Sequence, residues 1–211
     1  IWDMRLGADG AMTTLDLYRA MVRSVERRDY RALQQSIDDG MADANALLLK
    51  EIGEKRIALE HARGGASLPM PAQEVVEEPP GEFEVRFRPP VPAEDWNAQI
   101  SLLTGMAAAQ LMLDAGIGIL RTMPAPDPGA MKRFRREAKA VGVPWPDGMR
   151  YGEFLRTLDR SNSRHLALMH EATGLFRGAG YTPFQGTAPE QPLHAAVAAP
   201  YAHVTAPLRR L

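Results

Sequence analysis

A long apolar helix pattern in the middle of the sequence constrains the fold more than any other feature. Over residues 93–115, apolar side chains recur at helical spacing, at Trp96, Ile100, Leu103, Ala107 and Leu111. Glu94 and Asp95 lie at the N-terminal end, where the helix dipole favours negative charge. The pattern predicts a central, buried helix. The apolar run that follows at 116–120 predicts a short buried strand.

The sequence before this helix predicts a hairpin and two further helices. Apolar and charged residues alternate over 2–6 before the turn sequence GADG, and residues 12–25 are strand-like at first and helix-like at the end. A helix is predicted over 29–39 with Asp29 as its N-cap, and a second one over 43–61.

The sequence after the central helix predicts three more helices. Asp127 and Pro128 have the residue types of an N-cap and a first helical residue, and this helix is predicted to end near 142. Two others are predicted over 151–159 and 162–176, and the residues from 182 onward are mostly irregular. We therefore expect the α+β class, with a mixed or antiparallel sheet packed against several helices.

Residues 67–92 differ in composition from the rest of the chain, because seven of its 17 prolines lie there. These prolines frame two short strand candidates, at 74–77 and 83–87. Proline has no backbone N–H and is tolerated mainly on edge strands. We therefore expect a hairpin at the edge of a sheet.

The charge balance and the composition exclude several classes of function. With 25 Lys and Arg against 26 Asp and Glu, the formal net charge is −1, so any nucleic-acid surface must be a local patch. The absence of cysteine excludes a disulfide framework and fits a reducing compartment, so we expect a cytoplasmic protein. No window of about 18 residues is apolar without interruption, so we expect no membrane partner.

The C-terminal sequence YAHVTAPLRR, at 201–210, is dense in functional residue types. It contains an aromatic ring, an imidazole, a hydroxyl and two guanidinium groups, in Tyr201, His203, Thr205, Arg209 and Arg210. Because Arg binds phosphate in a bidentate manner and Tyr can stack on a base, the segment suits phosphodiester recognition. The alternative is a solvated loop with a buried tyrosine, since arginine pairs are common on ordinary surfaces.

The same segment resembles the Y-x-H-F-T-S-P-I-R-R signature of the RNB catalytic domain of ribonuclease II and ribonuclease R type exoribonucleases. Upstream, HAAVA at 194–198 resembles the family's H-F-G-L-A element, and RGAGY at 177–181 resembles its R-A-x-Y strand. Residues 97–109 occupy the place of the family's N-R-x-x-E-E-x-M-x-x-A-N helix. Residues 118–127 resemble its G-x-Y/L-R-x-H-x-x-P segment, and 24–30 resemble its S-x-x-x-L-x-Y stretch. The similarity therefore runs over nearly all of the chain.

The resemblance implies one partial RNB-like catalytic domain over residues 1–211, with the proline-rich hairpin around 67–92 as an insertion. It also implies processive 3′-to-5′ hydrolysis of single-stranded RNA to nucleoside 5′-monophosphates, with Mg²⁺ as the cofactor. The family's metal-binding motif, D-x-x-x-x-x-D-x-D-D, is absent from this sequence. The nearest acidic cluster is Asp38, Asp39 and Asp43, whose place at helix ends indicates caps. We therefore expect a piece of a longer enzyme, with the metal ligands outside this sequence and little or no activity in the chain alone.

The resemblance also assigns roles to the C-terminal residues. Arg209 matches the arginine that contacts the scissile phosphate and stabilises the charge of the transition state, so it is the predicted catalytic residue. Arg210 is predicted to contact RNA phosphate, with a structural ion pair as the alternative role. Tyr201, His203 and Thr205 are predicted to bind RNA or support its site, with hydrogen bonding within the loop as the alternative role.

A second hypothesis is a non-catalytic RNA-binding or helical interaction protein that keeps the same scaffold and uses its arginines for contacts only. The basic run KRFRR at 132–136 is a candidate for such contacts, because its charges could bind an RNA backbone. Its helical spacing instead indicates a solvated helix face with Phe134 in the core. The two hypotheses differ in whether spaced metal-binding aspartates belong to the protein.

Overall fold

The structure is a computed structural model, and it describes residues 1–68, 70, 72–79, 81–88 and 90–204. The described residues form six α-helices: α1 (Tyr30–Asp38), α2 (Ala44–Arg63), α3 (Pro92–Ala115), α4 (Pro128–Ala140), α5 (Tyr151–Arg156) and α6 (Ser163–Ala172). They also form eight strands: β1 (Trp2–Leu6), β2 (Met12–Leu17), β3 (Ala72–Glu78), β4 (Glu82–Arg88), β5 (Ile117–Thr122), β6 (Gly180–Gln185), β7 (Leu193–His194) and β8 (Ala199–Pro200). A short 3₁₀ helix, Thr173–Leu175, follows α6.

The strands of the described residues pair two by two, as β1–β2, β3–β4, β5–β6 and β7–β8, and every pair is antiparallel. A parallel bridge joins Met123, just after β5, to His194 in β7. The α+β class is therefore confirmed, with small antiparallel sheets packed against helices.

The helix starts that depend on local side-chain chemistry are confirmed. In α1, α2 and α4 an aspartate carboxylate accepts a hydrogen bond from a backbone N–H of the first turn: Asp29 from Ala32 (2.9 Å), Asp43 from Ala46 (2.8 Å) and Asp127 from Ala130 (2.9 Å). Such a cap satisfies a donor that would otherwise have no partner. Because both partners lie within one turn, the sequence alone is sufficient to locate these starts.

Helix α3 is the central helix, as predicted, and it buries Trp96 and Leu103. Helix α2 crosses it at Gly53, where a side chain would overlap the Trp96 ring. Farther along, the buried Glu60 of α2 accepts a hydrogen bond from the buried Gln99 of α3. The hydrogen bond satisfies the Gln99 amide nitrogen and the Glu60 carboxylate, whereas the buried Gln99 Oε1 has no partner among the described residues.

A second core joins α4, α5 and α6 through aromatic rings. Trp145 stacks on Phe154 with ring centroids 4.2 Å apart, and Phe134 meets both rings edge-on at 5.6 and 5.9 Å. Leu168 and Met169 of α6 complete this core. Phe134 is therefore a core residue, as the helical spacing of the basic run at 132–136 predicts.

The helix-like end predicted for residues 12–25 is wrong. Strand β2 ends at Leu17, and residues 18–29 form neither helix nor strand. Met21 is fully exposed and Val25 is 86% exposed, so their side chains do not pack on the described residues. Nucleation of a short helix in water is unfavourable, and most helical stability comes from packing an apolar face. The apolar spacing of this segment has no such packing to stabilise it.

The buried strand predicted over 116–120 is present as β5, but only one of its faces is buried. Leu120 is completely buried against α3, whereas Ile119 is 53% exposed. Successive side chains of a strand point to opposite faces, and helix α3 covers one of them. The apolar run at 116–120 therefore predicts the strand correctly, but it does not show that both faces of β5 are buried.

The proline-rich hairpin is confirmed as β3–β4, but its predicted place at a sheet edge is wrong. Among the described residues these two strands pair only with each other. Ion pairs connect the hairpin to the helices: Glu74 with Arg31 of α1 (4.0 Å) and Arg88 with Glu94 of α3 (2.6 Å). The hairpin contacts the helices through charged side chains. Among the described residues its strands therefore make ion pairs to α1 and α3 and no backbone hydrogen bonds to another strand.

The last helices are shorter than predicted, and the region from 182 onward is less irregular. Helix α5 ends at Arg156, where the Thr157 hydroxyl donates to the Phe154 carbonyl (2.7 Å) and closes the last turn. The helix predicted over 162–176 is divided into α6 and the 3₁₀ helix. The end of β6, with β7 and β8, lies in the region predicted as irregular, because these strands form through pairings that local sequence does not encode.

Candidate functional site

The C-terminal segment enters the centre of the fold at residues 201–204. The Ala202 N–H donates to the Gly105 carbonyl of α3 (3.0 Å), and the Arg121 N–H of β5 donates to the Tyr201 carbonyl (2.8 Å). Ala202 is completely buried. Gly105 is required for this approach, because a side chain there would overlap the Tyr201 ring. The segment is thus fixed between α3 and β5.

Tyr201 and His203, two of the predicted RNA-binding residues, lie side by side. Their ring centroids are 5.6 Å apart and their planes are nearly perpendicular, at 87°. Burial, and then the neighbouring Tyr181, raise the pKa of Tyr201, so its hydroxyl is protonated at neutral pH. His203 is exposed, and a hydrogen bond joins its Nδ1 to the Tyr181 Oη (2.7 Å).

Tyr181 and His194 complete this group, although neither was predicted as a site residue. Tyr181 lies edge-on to His203 with centroids 5.7 Å apart, and His194 lies edge-on to Tyr201 at 5.9 Å. We name Tyr181, His194, Tyr201 and His203 the Tyr–His cluster. A signal was available in the sequence, since Tyr181 and His194 stand in the two upstream segments that resemble family elements.

His194 is the inner member of the Tyr–His cluster. Burial, and then the positive charge of Arg121, lower the pKa of His194. Its Nδ1 is buried and has no hydrogen-bond partner among residues 1–204 as described. A lowered pKa keeps the imidazole neutral at pH 7, so His194 contributes ring packing to the site and no fixed charge.

Arg121 adds a positive charge beside the Tyr–His cluster, and it too was not predicted as a site residue. Its guanidinium carbon lies 4.7 Å from the centroid of the Tyr181 ring. The sequence signal was its place in the segment at 118–127 that resembles a family element. The site therefore combines aromatic faces, imidazoles and a cation, which are the groups that contact single-stranded nucleic acid.

The Tyr–His cluster has an exposed side, formed by Tyr181 and His203, and it lines neither of two clefts elsewhere on the protein. A cleft of about 490 Å³ opens between α4 and the 3₁₀ helix, beside Arg133 and Arg177. A second cleft, of about 650 Å³, opens beside Thr122 and Thr182. Neither is lined by a member of the cluster. An open surface suits a chain that passes over it better than a small enclosed ligand.

Thr205, Arg209 and Arg210 lie outside the described residues. Their roles, catalytic for Arg209 and RNA-binding for Thr205 and Arg210, therefore stay predictions. Of the predicted site residues, Tyr201 and His203 are the two that the structure describes and brings together.

The acids of the described residues do not fit a Mg²⁺ ion. Across residues 1–204, with the gaps given above, no group of three or more His, Asp or Glu side chains is arranged to hold a metal. Asp43 caps α2 and pairs with Arg28 (2.5 Å), and the hydrogen bond from Arg28 lowers the pKa of Asp43 to about 2. Asp38 and Asp39 accept hydrogen bonds from glutamines one turn earlier. These three acids therefore serve helix ends.

The sequence model of the RNB domain matches residues 1–211. This chain therefore belongs to the RNB domain family, and the resemblance seen in the C-terminal signature is confirmed.

Solved structures of exoribonucleases have a similar fold. RNase R from Mycoplasma genitalium in complex with ribose-methylated single-stranded RNA has a TM-score of 0.81 and 17% identity, covering 99% of this chain and 34% of that chain. The same enzyme with double-stranded RNA gives 0.76 and 15%, covering 99% and 39%. An active-site mutant of the Dss1 exoribonuclease from Candida glabrata gives 0.54 and 13%, covering 83% and 21%.

This chain spans about a third of the length of the RNase R structures that it matches. At these identities the similarity establishes the fold. A comparison with curated proteins returned no match. Among the described residues, no helix combines the length and the apolar character that crossing a membrane requires.

Proposed function

We propose that this chain is part of an exoribonuclease that hydrolyses single-stranded RNA from the 3′ end and releases nucleoside 5′-monophosphates. The observation that carries the proposal is the match of the RNB domain over residues 1–211. A similar structure, RNase R from Mycoplasma genitalium, is in complex with single-stranded RNA. The exposed rings of Tyr181 and His203 support the same substrate, because base stacking on aromatic rings tolerates any sequence.

In this proposal the C-terminal segment contacts the RNA near the scissile bond. Tyr201, His203 and Thr205 bind the RNA, and Arg210 binds a phosphate. Arg209 is the catalytic residue. As the oxygen of water bonds to phosphorus and the 3′ oxygen leaves, a guanidinium beside that phosphate stabilises the negative charge that develops.

The proposal includes Mg²⁺ as the cofactor, with its ligands in residues outside this sequence, because the described acids do not fit the ion. It also includes residues 1–211 as a single part of the catalytic domain, with 67–92 as an insertion, and a cytoplasmic location. Hydrolysis by this chain alone is therefore expected to be slow, whereas binding of RNA is expected to persist.

The direct experiment incubates the chain with oligo(A) in the presence of Mg²⁺, using one substrate labelled at the 3′ end and one labelled at the 5′ end. The proposal expects RNA binding with little hydrolysis. In a longer protein that contains this chain and the metal ligands, it expects early release of the 3′ label as a mononucleotide. Efficient mononucleotide release by the chain alone would contradict the assignment of the ligands. Absence of both RNA binding and hydrolysis in the longer protein would contradict the function.

The role of Arg209 is tested by Arg209→Ala in that longer protein. Loss of the guanidinium is expected to lower kcat by at least about 10²-fold while most of the RNA affinity remains, because the arginine acts mainly in the transition state. Arg210→Ala is the matched control and is expected to weaken RNA binding more than kcat. An unchanged kcat in Arg209→Ala would refute the catalytic role.

A non-catalytic RNA-binding or helical interaction protein is the second candidate function. The observation that favours it is that the described residues contain no cluster of acids able to hold a metal. The upstream genomic sequence distinguishes the two candidates. Spaced aspartates there support the nuclease, and their absence supports the second candidate.

A further inference from the structure

The pairing of β5 with β6 places Arg121 directly opposite Tyr181. Both side chains therefore lie on the same face of this two-stranded sheet, together with Ile119 and Pro183. This is the open face, since Tyr181 is 59% exposed and α3 covers the opposite face, which carries Leu120. The two residues are distant in sequence and meet only through the strand register.

Tyr181 holds the Arg121 side chain in a defined place. The guanidinium carbon lies 4.7 Å from the ring centroid, within the range of a cation–π interaction. The ring itself is fixed at its far end by the hydrogen bond between the Tyr181 Oη and the His203 Nδ1 (2.7 Å). Arg121 is thus connected, through one ring, to His203 of the C-terminal segment.

The guanidinium of Arg121 has its polar groups available. Among the described residues, no carboxylate lies within 4.0 Å of it, and its side chain donates no hydrogen bond. Most arginines of a folded surface are solvated and mobile, whereas this one is pre-oriented on a ring. A planar fork of N–H donors that no acceptor of the described residues engages matches the oxygens of a phosphate.

We propose that Arg121, held by Tyr181, binds a backbone phosphate of the single-stranded RNA, as a contact in addition to those predicted for Arg209 and Arg210. This inference rests on the proposed function and adds a named phosphate contact on the β5–β6 face. Tyr181 is a positioning residue in this subsite, because it orients the guanidinium. The RNA strand then passes from the β5–β6 face over the Tyr–His cluster.

The experiment measures the affinity of the full chain for fluorescein-labelled oligo(A) by fluorescence anisotropy, in EDTA so that no hydrolysis occurs, between about 50 and 200 mM salt. Arg121→Gln is expected to weaken binding about 10-fold at the lowest salt, as for loss of one charge-assisted contact. It is also expected to make the negative slope of log K against log salt less steep by about 0.7, the value for one phosphate contact on a single strand. Thermal unfolding of each variant confirms that it is folded.

Two further variants separate positioning from charge. Tyr181→Leu leaves the charge of Arg121 in place, so binding is expected to weaken about 3-fold with an unchanged salt slope. Tyr181→Phe keeps the ring face but loses the hydrogen bond to His203, so its affinity is expected to lie between those of the wild type and Tyr181→Leu. In the Arg121→Gln background, Tyr181→Leu is expected to weaken binding less than it does in the wild type, because the part of its effect that acts through the arginine is already lost.

Arg135→Gln is the matched control, because Arg135 also lies over an aromatic ring, that of Trp145, but outside the β5–β6 face. It is expected to leave affinity and salt slope unchanged. If Arg121→Gln binds oligo(A) with wild-type affinity and slope, the inference is overturned while the proposed function stands. If the wild-type chain does not bind oligo(A), both are contradicted. If Arg121→Gln and Arg135→Gln weaken binding equally, the effect is general charge, and the subsite is rejected.

Discussion

Arg121 and Arg135 each lie over an aromatic ring, but the two regions use the arrangement differently. In the α4–α6 core, Arg135 lies 4.1 Å from the Trp145 centroid, and it also donates to the Met149 carbonyl (3.3 Å). The Trp145 Nε1 donates to the same carbonyl (2.9 Å). On the β5–β6 face, Arg121 has the ring and no protein acceptor among the described residues.

This difference shows that the hydrogen-bond acceptors around a guanidinium indicate its role better than its stacking on an aromatic ring does. Arg135 connects the loop before α5 to a stacked Trp145–Phe154 pair, and one of its N–H groups donates to a carbonyl within the protein. Arg121 has only the ring contact among the described residues, and it lies on the open face of the β5–β6 sheet. We therefore assign stability to the first region and ligand binding to the second, and the predictions below test that division.

The largest expected effect is a loss of stability when a large side chain is removed from the α4–α6 core. Phe154→Ala removes a completely buried ring that contacts both Trp145 and Phe134, and it is expected to lower the free energy of unfolding by about 3 to 5 kcal/mol. Urea denaturation measures the loss. The folded fraction is expected to bind oligo(A) as before, and a selective loss of RNA affinity would place this core in the binding site.

A smaller effect is expected where α3 meets the C-terminal segment. Gly105→Ala places a methyl group against the Tyr201 ring and the Ala202 carbonyl, so the segment must shift. We expect a loss of about 1 to 3 kcal/mol in stability, as for other overpacked sites, together with weaker oligo(A) binding. Gly174→Ala is the control, because nothing lies within 4 Å of a side chain added there. Equal affinities of the two variants for oligo(A) would contradict a role of Tyr201 in RNA binding.

Removing the arginine of the core sharpens the comparison further. Arg135→Gln loses the contact with Trp145 and the hydrogen bond to Met149, and a loss of about 1 to 2 kcal/mol in stability is expected. Thermal or urea unfolding detects it. Arg121→Gln is expected to change stability less than this. The reverse order of the two losses would contradict the division between a structural and a binding arginine.

The smallest effect is a dependence of stability on pH through His194. Burial and Arg121 lower the pKa of His194, so the folded state binds a proton less readily than the unfolded state does. Its contribution to stability is present above about pH 6.5 and is lost as the pH falls through the lowered value. Comparing unfolding of the wild type and His194→Gln at about pH 7 and about pH 5 tests this. The variant is expected to lose less stability on acidification, and an identical loss in both would reject the role of His194.

Features that depend on neighbouring residues could be predicted from the sequence, and features that depend on distant pairing could not. Asp29 and Asp127 cap their helices as predicted, because a cap needs only the next three residues. The exposed face of β5 was not predictable, since whether Ile119 is covered depends on what packs across it.

The candidate site follows the same division. The C-terminal signature indicates Tyr201 and His203, which lie two positions apart in the sequence. Arg121 and Tyr181 come together only when β5 and β6 pair in one particular register. No local pattern encodes that register, so the contact between the guanidinium and the ring becomes visible only in the fold.

The central claim is that RNA contacts the β5–β6 face and the Tyr–His cluster. Ultraviolet crosslinking of oligo(A) to the chain, followed by trypsin digestion and mass spectrometry, tests it most directly. No Lys or Arg stands between Arg177 and Arg209, so Tyr181 and Tyr201 fall in one tryptic peptide, 178–209. The account predicts that the crosslinks concentrate in this peptide and fall when Arg121 is replaced by Gln. Crosslinks confined to peptides of the α4–α6 core would contradict it.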